Sequence, residues 1–565
     1  MTDSADTLFA EAWRWHHAGD VSKAVAAYRR CLHRDPGHAE ALHGLGVLAL
    51  QEGDAASAET LIRSAIGREA TVAQFHVSLA TVRYRRADLA GAVVALRQAM
   101  LLDPQLASAQ DALGVVLRAL GRDQAAINSF TNAIMLAPDR ADAYGNLGQA
   151  LPAGAAARTA LRRAVRVSPD LAAAQNNLAN ALVENGDWQG AVAHYQQAAA
   201  LLPRVAVVHF NLGRALAVLE QTDAAIAAYR GALALNPGFA EALANLGPLV
   251  AAAGDAAAGR SMVIQAVVLR PDYGPACNNL AVMLLNVAEA DAAARWLLRA
   301  LVLRGGFDQA HVNLAEALYL LDRGGQPALA RSYLAVWQQR FPEHPLVEHC
   351  AASLGVIAAP ERCSDGYLQI SFDQFAPTFD RRLASLGYRI PEQLAAVVTG
   401  LLGPATATLD ILDAGCGTGL CAPLLRPWAR RLDGVDLAPQ MIEHARQRGL
   451  YDHLVVGELT AFMAAQAGGF DVIVATDVLI YFGALESLIA AAARALRPGG
   501  LLGVSIESLA GGADYRLGPH GRYAHGLDYL RTVLAGWDIV AEDPVIVRTE
   551  GAVSVDGLLV VARRG

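Results

Sequence analysis

Leu409-Asp410-Ile411-Leu412-Asp413-Ala414-Gly415-Cys416-Gly417-Thr418-Gly419 is the stretch on which the second half of the chain turns. Its Ile- and Leu-rich run reads as a buried strand. The run ends in an acid, followed by three glycines at alternate positions. Pro423, Leu424, Leu425 and Trp428 predict a helix beyond the turn. Glycine lets the backbone approach a ligand closely, and a helix N-terminus aims its amides at it. Residues 431–436 read as a second strand that ends in Asp436, 17 residues after Gly419 (436 − 419). In a doubly wound sheet such an acid lies beside the ribose of a nucleotide-like cofactor. A glycine-rich surface turn is the bland alternative, and the class of cofactor is open at this point.

Working downstream, apolar strands are expected at 453–458, 470–477 and 501–507, with helical patterns between them at 441–447, 459–466 and 485–496. Alternation of this kind implies a parallel sheet covered on both faces. Two further apolar stretches, 537–547 and 558–561, are joined by a short polar turn containing Gly551 and imply an antiparallel hairpin. The segment 511–526 reads as a long loop loaded with Tyr515, Arg516, His520, Arg522, Tyr523 and His525. Long loops at the C-terminal edge of a sheet carry function. His520, His525 and Tyr523 are therefore the candidate catalytic groups, with His520 or His525 as base, and Arg522 is the candidate for an anionic group. A solvated histidine is the alternative. No metal-ligand spacing is present, and Cys416 and Cys421 read as packing residues.

Upstream, Tyr367 to Asp380 carries two Phe-Asp pairs, Phe372-Asp373 and Phe379-Asp380, before an amphipathic helix around 381–386. These aromatics are either core or a lid over the cofactor. Residues 359–366 have turn composition, and 346–354 suits a capping helix.

The first half has a beat. Prolines at 36, 104, 138, 169, 203, 237, 271 and 342, completed by Ala70 and Gly305, are separated by 34, 34, 34, 31, 34, 34, 34, 34 and 37 residues. Within the units a Leu-Gly or Leu-Ala pair is followed by a Gly-Asp turn, then by Ala, a large residue and Ala, as in Ala191, Tyr195 and Ala198. Units this small stack because none buries its apolar face alone. Six consecutive units place Asn before the Leu: Asn146, Asn177, Asn211, Asn245, Asn279 and Asn313. An amide both donates and accepts, so such a row can hold a peptide backbone. It can equally brace neighbouring helices.

Length and charge bound the rest. At 565 residues two or more domains are expected, and a net charge of −8 argues against a general nucleic-acid binder. The six cysteines form no CxxC pair and suit reduced thiols in a cytoplasmic setting. The acidic N-terminus has no signal-peptide core. No apolar run reaches membrane-spanning length, so no membrane insertion is expected.

Residues 5–342, as about ten units, resemble the tetratricopeptide repeat. The asparagine row is similar to that in the superhelix of O-linked N-acetylglucosamine transferases, where it holds an extended peptide. Residues 367–565 resemble class I S-adenosylmethionine-dependent methyltransferases through Asp413 and the glycines, Arg497-Pro498-Gly499-Gly500, and the terminal hairpin. More narrowly, they resemble bacterial predicted methyltransferases that carry tetratricopeptide repeats. The implied fold is an α-helical solenoid (5–342), a capping helix and linker (343–366), and an α/β Rossmann-like methyltransferase domain with a C-terminal antiparallel hairpin (367–565).

The implied cofactor is S-adenosyl-L-methionine. Asp413, Gly415, Cys416, Gly417, Thr418 and Gly419 would line its methionine part, and Asp436 its ribose. Leu437 and Met441 would flank the adenine, Glu458 would meet the adenine edge, and Asp477 would lie near the methionine or substrate. Tyr388 or Arg389 would replace a hydroxyl contact that Phe379 lacks. The implied partner is a protein or peptide in the repeat groove. The alternatives are a small quinone-like or lipid-like acceptor, with repeats for assembly only, and a non-catalytic scaffold.

Overall fold

The computed structural model describes residues 4–385, 387–550 and 553–565; Leu386 of the expected helix at 381–386 and Gly551 of the expected hairpin turn lie outside them. The chain divides into two compact units, Met1–Met262 and Val263–Gly565.

In the first unit, helices run in sequence from Ala5–His17 to Ala240–Ala252. Gly-Asp turns separate members of a pair, for a local reason. Gly19, Gly53 and Gly186 have φ of +76°, +91° and +78°, which reverses the chain. The next Asp then caps the second helix. Asp20, Asp54 and Asp187 accept from the N–H three residues on, at 3.1, 3.0 and 2.8 Å. Small residues face large ones inside a pair. A Cβ on Gly114 would lie 2.5 Å from the Phe130 ring, and one on Gly213 would lie 2.9 Å from that of Tyr229. Both rings are fully buried. The 31-residue step coincides with a shortened helix, Ala141–Ala150, of 10 residues against 13 for Ala107–Ala119.

The second unit continues with helices Gly274–Leu285, Ala290–Leu303, Asp308–Arg323, Pro327–Arg340 and Pro345–Ser353. Helices Asp365–Phe375, Phe379–Ser385 and Ile390–Leu402 lead into a nine-stranded sheet. Its strands are β1 (Leu409–Ala414), β2 (Ala429–Asp436), β3 (His453–Val456), β4 (Phe470–Ala475), β5 (Leu496–Ser508), β6 (Tyr515–Leu517), β7 (Tyr523–His525), β8 (Trp537–Glu550) and β9 (Val553–Arg564).

Strands β3-β2-β1-β4-β5 are parallel, β9 runs antiparallel beside β5, and β8 antiparallel beside β9. After its first residue β1 is buried throughout, as a central parallel strand covered on both faces must be. Separate apolar clusters cover the two faces, one containing Leu412, Ile473 and Leu502, the other Ile411, Val472 and Val561. The chain reverses between β1 and β4, which opens a crevice at their C-terminal ends.

Three expectations need correction. The helix after the glycine turn is a single turn, Ala422–Leu425, cut short because the chain must re-enter as β2 at Ala429. Residues 497–500 do not precede β5 but bulge within it: Phe470 pairs with Leu496, and pairing resumes at Val472 with Leu501. Part of the loop at 511–526 is the β6–β7 hairpin, and β7 adds parallel to the end of β5.

Candidate active site

At the C-terminal ends of β1, β2 and β4 lies a cavity of about 700 Å³. Gly415, Cys416, Gly417, Thr418, Asp436, Leu437, Met441, Glu458 and Asp477 all line it. The glycines have positive φ, +71°, +53° and +87°. A Cβ at Gly415 would press on Val478 Cγ2 at 2.4 Å, whereas one at Gly417 would meet nothing nearer than Phe379, at 4.0 Å. The backbone at Gly417 is thus an open cradle.

Asp436 receives the Gly417 N–H on Oδ2 and the Ala438 N–H on Oδ1, each at 2.9 Å. The Leu437 backbone also hydrogen-bonds to this carboxylate. Burial raises its pKa, opposed by those backbone bonds. Asp413 lies outside the lining, buried at the end of β1 (1 % exposed). Tyr451 donates to its Oδ2 at 2.6 Å, while Oδ1 is buried with no hydrogen-bond partner among the described residues. Burial pushes its pKa up to about 7, with the Asp436 charge adding to the shift and the Tyr451 bond opposing it.

Glu458 lines the cavity, and its carboxylate is engaged locally. Its two carboxylate oxygens cap helix Leu459–Ala464, accepting from Thr460 N at 3.0 Å and Ala461 N at 2.7 Å. Its side chain is a helix cap at the cavity wall. Asp477 has φ +52°, an uncommon conformation for a non-glycine residue. Ser505 Oγ donates to its Oδ1 at 2.9 Å and accepts from its N–H at 2.7 Å. Tyr388 also hydrogen-bonds to Asp477. Burial is the main cause raising the Asp477 pKa.

The Phe-Asp pairs cover this floor. Phe372, Phe375 and Phe379 line the cavity, and the two aspartates fasten their segment to it. Asp373 accepts from Gln440 N at 2.9 Å, capping helix Pro439–Arg448. Asp380 binds the Thr418 hydroxyl and the Arg448 guanidinium. Arg448 Nε in turn donates to Thr418 O at 2.6 Å.

The three catalytic candidates separate. His520 lines the cavity, but its Nδ1 accepts the Arg522 N–H at 3.2 Å. In the neutral ring this puts the proton on Nε2, 3.8 Å from Glu507 Oε2. His520 therefore presents a donor rather than a base. His525 and Tyr523 are not in the lining. The imidazole of His525 is buried and donates from Nε2 to the Phe482 carbonyl at 2.8 Å, and burial lowers its pKa. Tyr523 is fully buried and donates to Pro360 O at 2.6 Å. Both face inward because β7 packs its alternate residues, 523 and 525, into the core.

Sequence reasoning missed Tyr451, Asp380 with Arg448, and Glu507, whose Oε1 binds the Arg548 guanidinium. Glu507 ends an apolar strand at the functional edge of the sheet, and that position was the available signal. Cys416 and Cys421 are buried, and burial raises both thiol pKa values. Among the described residues no cluster of three or more His, Cys, Asp or Glu could hold a metal ion, and no helix is long and apolar enough to cross a membrane.

The asparagine row is engaged within the repeats. Asn146 Nδ2 donates to Asp111 Oδ1 at 2.9 Å, Asn211 to Asn176 at 3.2 Å and Asn313 to Asn278 at 2.8 Å, each 35 residues apart. Asn245 Nδ2 lies 3.4 Å from the Tyr229 hydroxyl. Asn177 and Asn279 are half-buried on the corresponding helices. Bracing between successive units is thus observed at three positions.

A family model for a methyltransferase domain matches residues 412–504. Tetratricopeptide-repeat models match 16–82, 107–140, 179–219 and 210–275. Ubiquinone biosynthesis O-methyltransferase of Xanthomonas oryzae pv. oryzae (strain PXO99A) is 30% identical over 194 residues, 31% of this chain and 80% of that protein. The chain belongs to the methyltransferase family. A second methyltransferase relative, methyltransferase-like protein 27 of Homo sapiens, is 33% identical over 152 residues, and the match spans 26% of this chain and 60% of that protein. The crystal structure of MamA aligns at 21% identity over 36% of this chain and 95% of that one, with a TM-score of 0.23.

Proposed function

We propose that this methyltransferase uses S-adenosyl-L-methionine held on the Gly415–Gly419 turn and transfers its methyl group to an acceptor in the same cavity. The observation that carries this reading is Asp436, which lines the cavity at the tip of β2 beside the open cradle at Gly417. The bound cofactor supplies a methyl group on cationic sulfur, already activated for displacement. The chain's part is to bind, orient and exclude water. Asp436 would take the ribose hydroxyls, Leu437 and Met441 would pack the adenine, and Asp413, set behind the lining, would act on the ammonium through its charge. Phe372, Phe375 and Phe379 close the site from above. Asp477, with its basicity raised by burial, is the group placed to accept a proton from the acceptor.

Calorimetric titration with S-adenosylmethionine tests the cofactor assignment. Binding by the parent chain and none by Gly417→Arg is expected. An absence of binding by the parent would remove the enzyme reading and leave the scaffold.

The repeats are proposed to recruit a protein or peptide partner. The enclosure of the cavity by helix Asp308–Arg323 favours a small molecule as the methyl acceptor itself, since Val312, Ala315 and Tyr319 stand in its wall. Cell lysate incubated with cofactor labelled in the methyl group separates these readings: label enters either the small-molecule fraction or protein. If a recruited protein is the substrate, Asn211→Ala, Asn245→Ala and Asn279→Ala together reduce its methylation and leave cofactor affinity intact.

A further inference from the structure

The cavity extends well past the cofactor residues. Beyond the glycine turn it is walled by Tyr367 and Tyr481, by His520, Arg522 and Arg548, and by Glu316, Tyr319 and Arg323 on helix Asp308–Arg323. Contacts bind these groups into one cluster. The Tyr319 and His520 rings meet edge to face at 6.4 Å. His520 Nε2 and the Arg548 guanidinium share Glu507. Arg522 hydrogen-bonds to Tyr481 and lies in the field of Glu507 and Tyr367. Burial opposes the charge on Arg522, yet those neighbours raise its pKa, so the guanidinium stays cationic.

The lining carries charges of both signs, and Arg522 lies in the field of Asp477. Asp436 and Glu458 flank the glycine turn, and Asp477 is tied to Tyr388 and Ser505. These acids surround the position of a cationic cofactor. The lining also carries Glu316 and the guanidiniums of Arg323, Arg362, Arg522 and Arg548, of which Arg548 is paired with Glu507 and Arg362 with Asp365. Guanidiniums present up to five donors each, in a planar fork that matches a carboxylate, even when one edge is already engaged. The surfaces between the two ends are aromatic, from Tyr367, Phe372 and Tyr481, and suit a flat apolar body.

We propose that this far chamber is the acceptor subsite, that it takes a flat aromatic acid with its carboxylate toward Arg522 and Arg548, and that Tyr319 of helix Asp308–Arg323 forms its specificity-determining wall. The assignment rests on the methyl-transfer reading of the cavity. The repeat-type helix then does more than recruit: it shapes the chamber in which the acceptor lies.

The test is calorimetric titration of the full chain with 2-naphthoate and with its neutral isostere 2-naphthamide, each with and without S-adenosylhomocysteine. Naphthoate is expected to bind about tenfold more tightly than the amide, as a charge-assisted fork contact implies. Arg522→Gln should abolish that preference. Tyr319→Ala should weaken both probes several-fold while leaving the preference in place. Glu316→Gln, an exposed position that does not endanger folding, should tighten naphthoate alone. Equal affinities for acid and amide, no binding of either, or indifference to both Tyr319→Ala and Glu316→Gln would overturn the assignment. If S-adenosylhomocysteine fails to bind while naphthoate keeps its preference, the methyl-transfer reading falls and the chamber stands. If S-adenosylhomocysteine binds and the naphthoate preference is absent, only the chamber falls.

Discussion

Tyr451 donates its hydroxyl to Asp413 Oδ2 at 2.6 Å, while Oδ1 of the same carboxylate is buried with no hydrogen-bond partner among the described residues. An ionised carboxylate is costly in that position, so burial pushes the Asp413 pKa up to about 7. In the proposed complex the cofactor brings a cationic ammonium toward this carboxylate. Cofactor binding should therefore favour the ionised form and release a proton near neutrality.

The sign follows directly. Below pH 7 Asp413 must lose its proton to bind, so affinity rises from pH 6 to pH 8, by about tenfold for a single group of this pKa. Without ligand the raised pKa acts the other way on stability, which falls as pH rises from the unfolded value near 4 through 7, because only the unfolded chain ionises freely in that window. Calorimetry in buffers of different ionisation enthalpy measures the released proton. Asp413→Asn should flatten the pH dependence of binding, and a slope unchanged in that variant would assign the proton elsewhere.

Two glycines of the same turn should fail in different ways. Gly415→Ala puts a Cβ 2.4 Å from Val478 Cγ2 at φ +71°, so the melting temperature should drop by several degrees, in line with about 1–3 kcal/mol for an overpacked site. For Gly417→Arg the added Cβ meets only Phe379, at 4.0 Å. The variant should unfold at nearly the parent temperature, apart from the cost of a positive φ, and lose cofactor binding. Thermal unfolding measured beside titration separates the two.

His520 carries its proton on Nε2, and Asp477 accepts from Ser505 and Tyr388. Asp477→Asn should therefore lower turnover and remove the acidic limb of the pH–rate profile, whereas His520→Gln should change acceptor KM more than kcat. A lost acidic limb in His520→Gln, with the limb kept in Asp477→Asn, would reverse these roles.

Asn313 Nδ2 donates to Asn278 Oδ1 at 2.8 Å with both residues buried. Asn313→Ala leaves that oxygen without its donor at a cost of about 1–3 kcal/mol. A lower denaturation midpoint is expected in chemical unfolding. An unchanged midpoint would show that the contact adds nothing to stability.

What was legible in the sequence was local. The Gly-Asp turns announce themselves because a positive φ followed by a capping carboxylate is written in adjacent residues, and β1 because its Ile- and Leu-rich stretch runs directly into the glycine turn. The β6–β7 hairpin escaped because three-residue strands give almost no periodicity, so Tyr523 and His525 read as loop residues when they are core. Tyr451 and Asp413 lie 38 residues apart, and His349 and Gly521 lie 172 apart. Pairings at that range are made by topology and leave no trace in neighbouring residues. Glu458 was placed correctly at the cavity, but its carboxylate belongs to the helix that starts beside it.

His349, on helix Pro345–Ser353, stacks on Tyr367 at 3.7 Å and donates from Nε2 to the Gly521 carbonyl at 3.0 Å. At φ +78° a Cβ on Gly521 would sit 2.9 Å from that same imidazole. The loop bearing His520 and Arg522 is therefore moulded against the helix that follows the last helical pair. This bears on how such a chain can change over descent. The residues that line the cavity all lie at or beyond Val312. The final pair, its capping helix and the catalytic sheet form one heritable block, and a graft of this sheet onto a foreign solenoid would have to carry that block across whole.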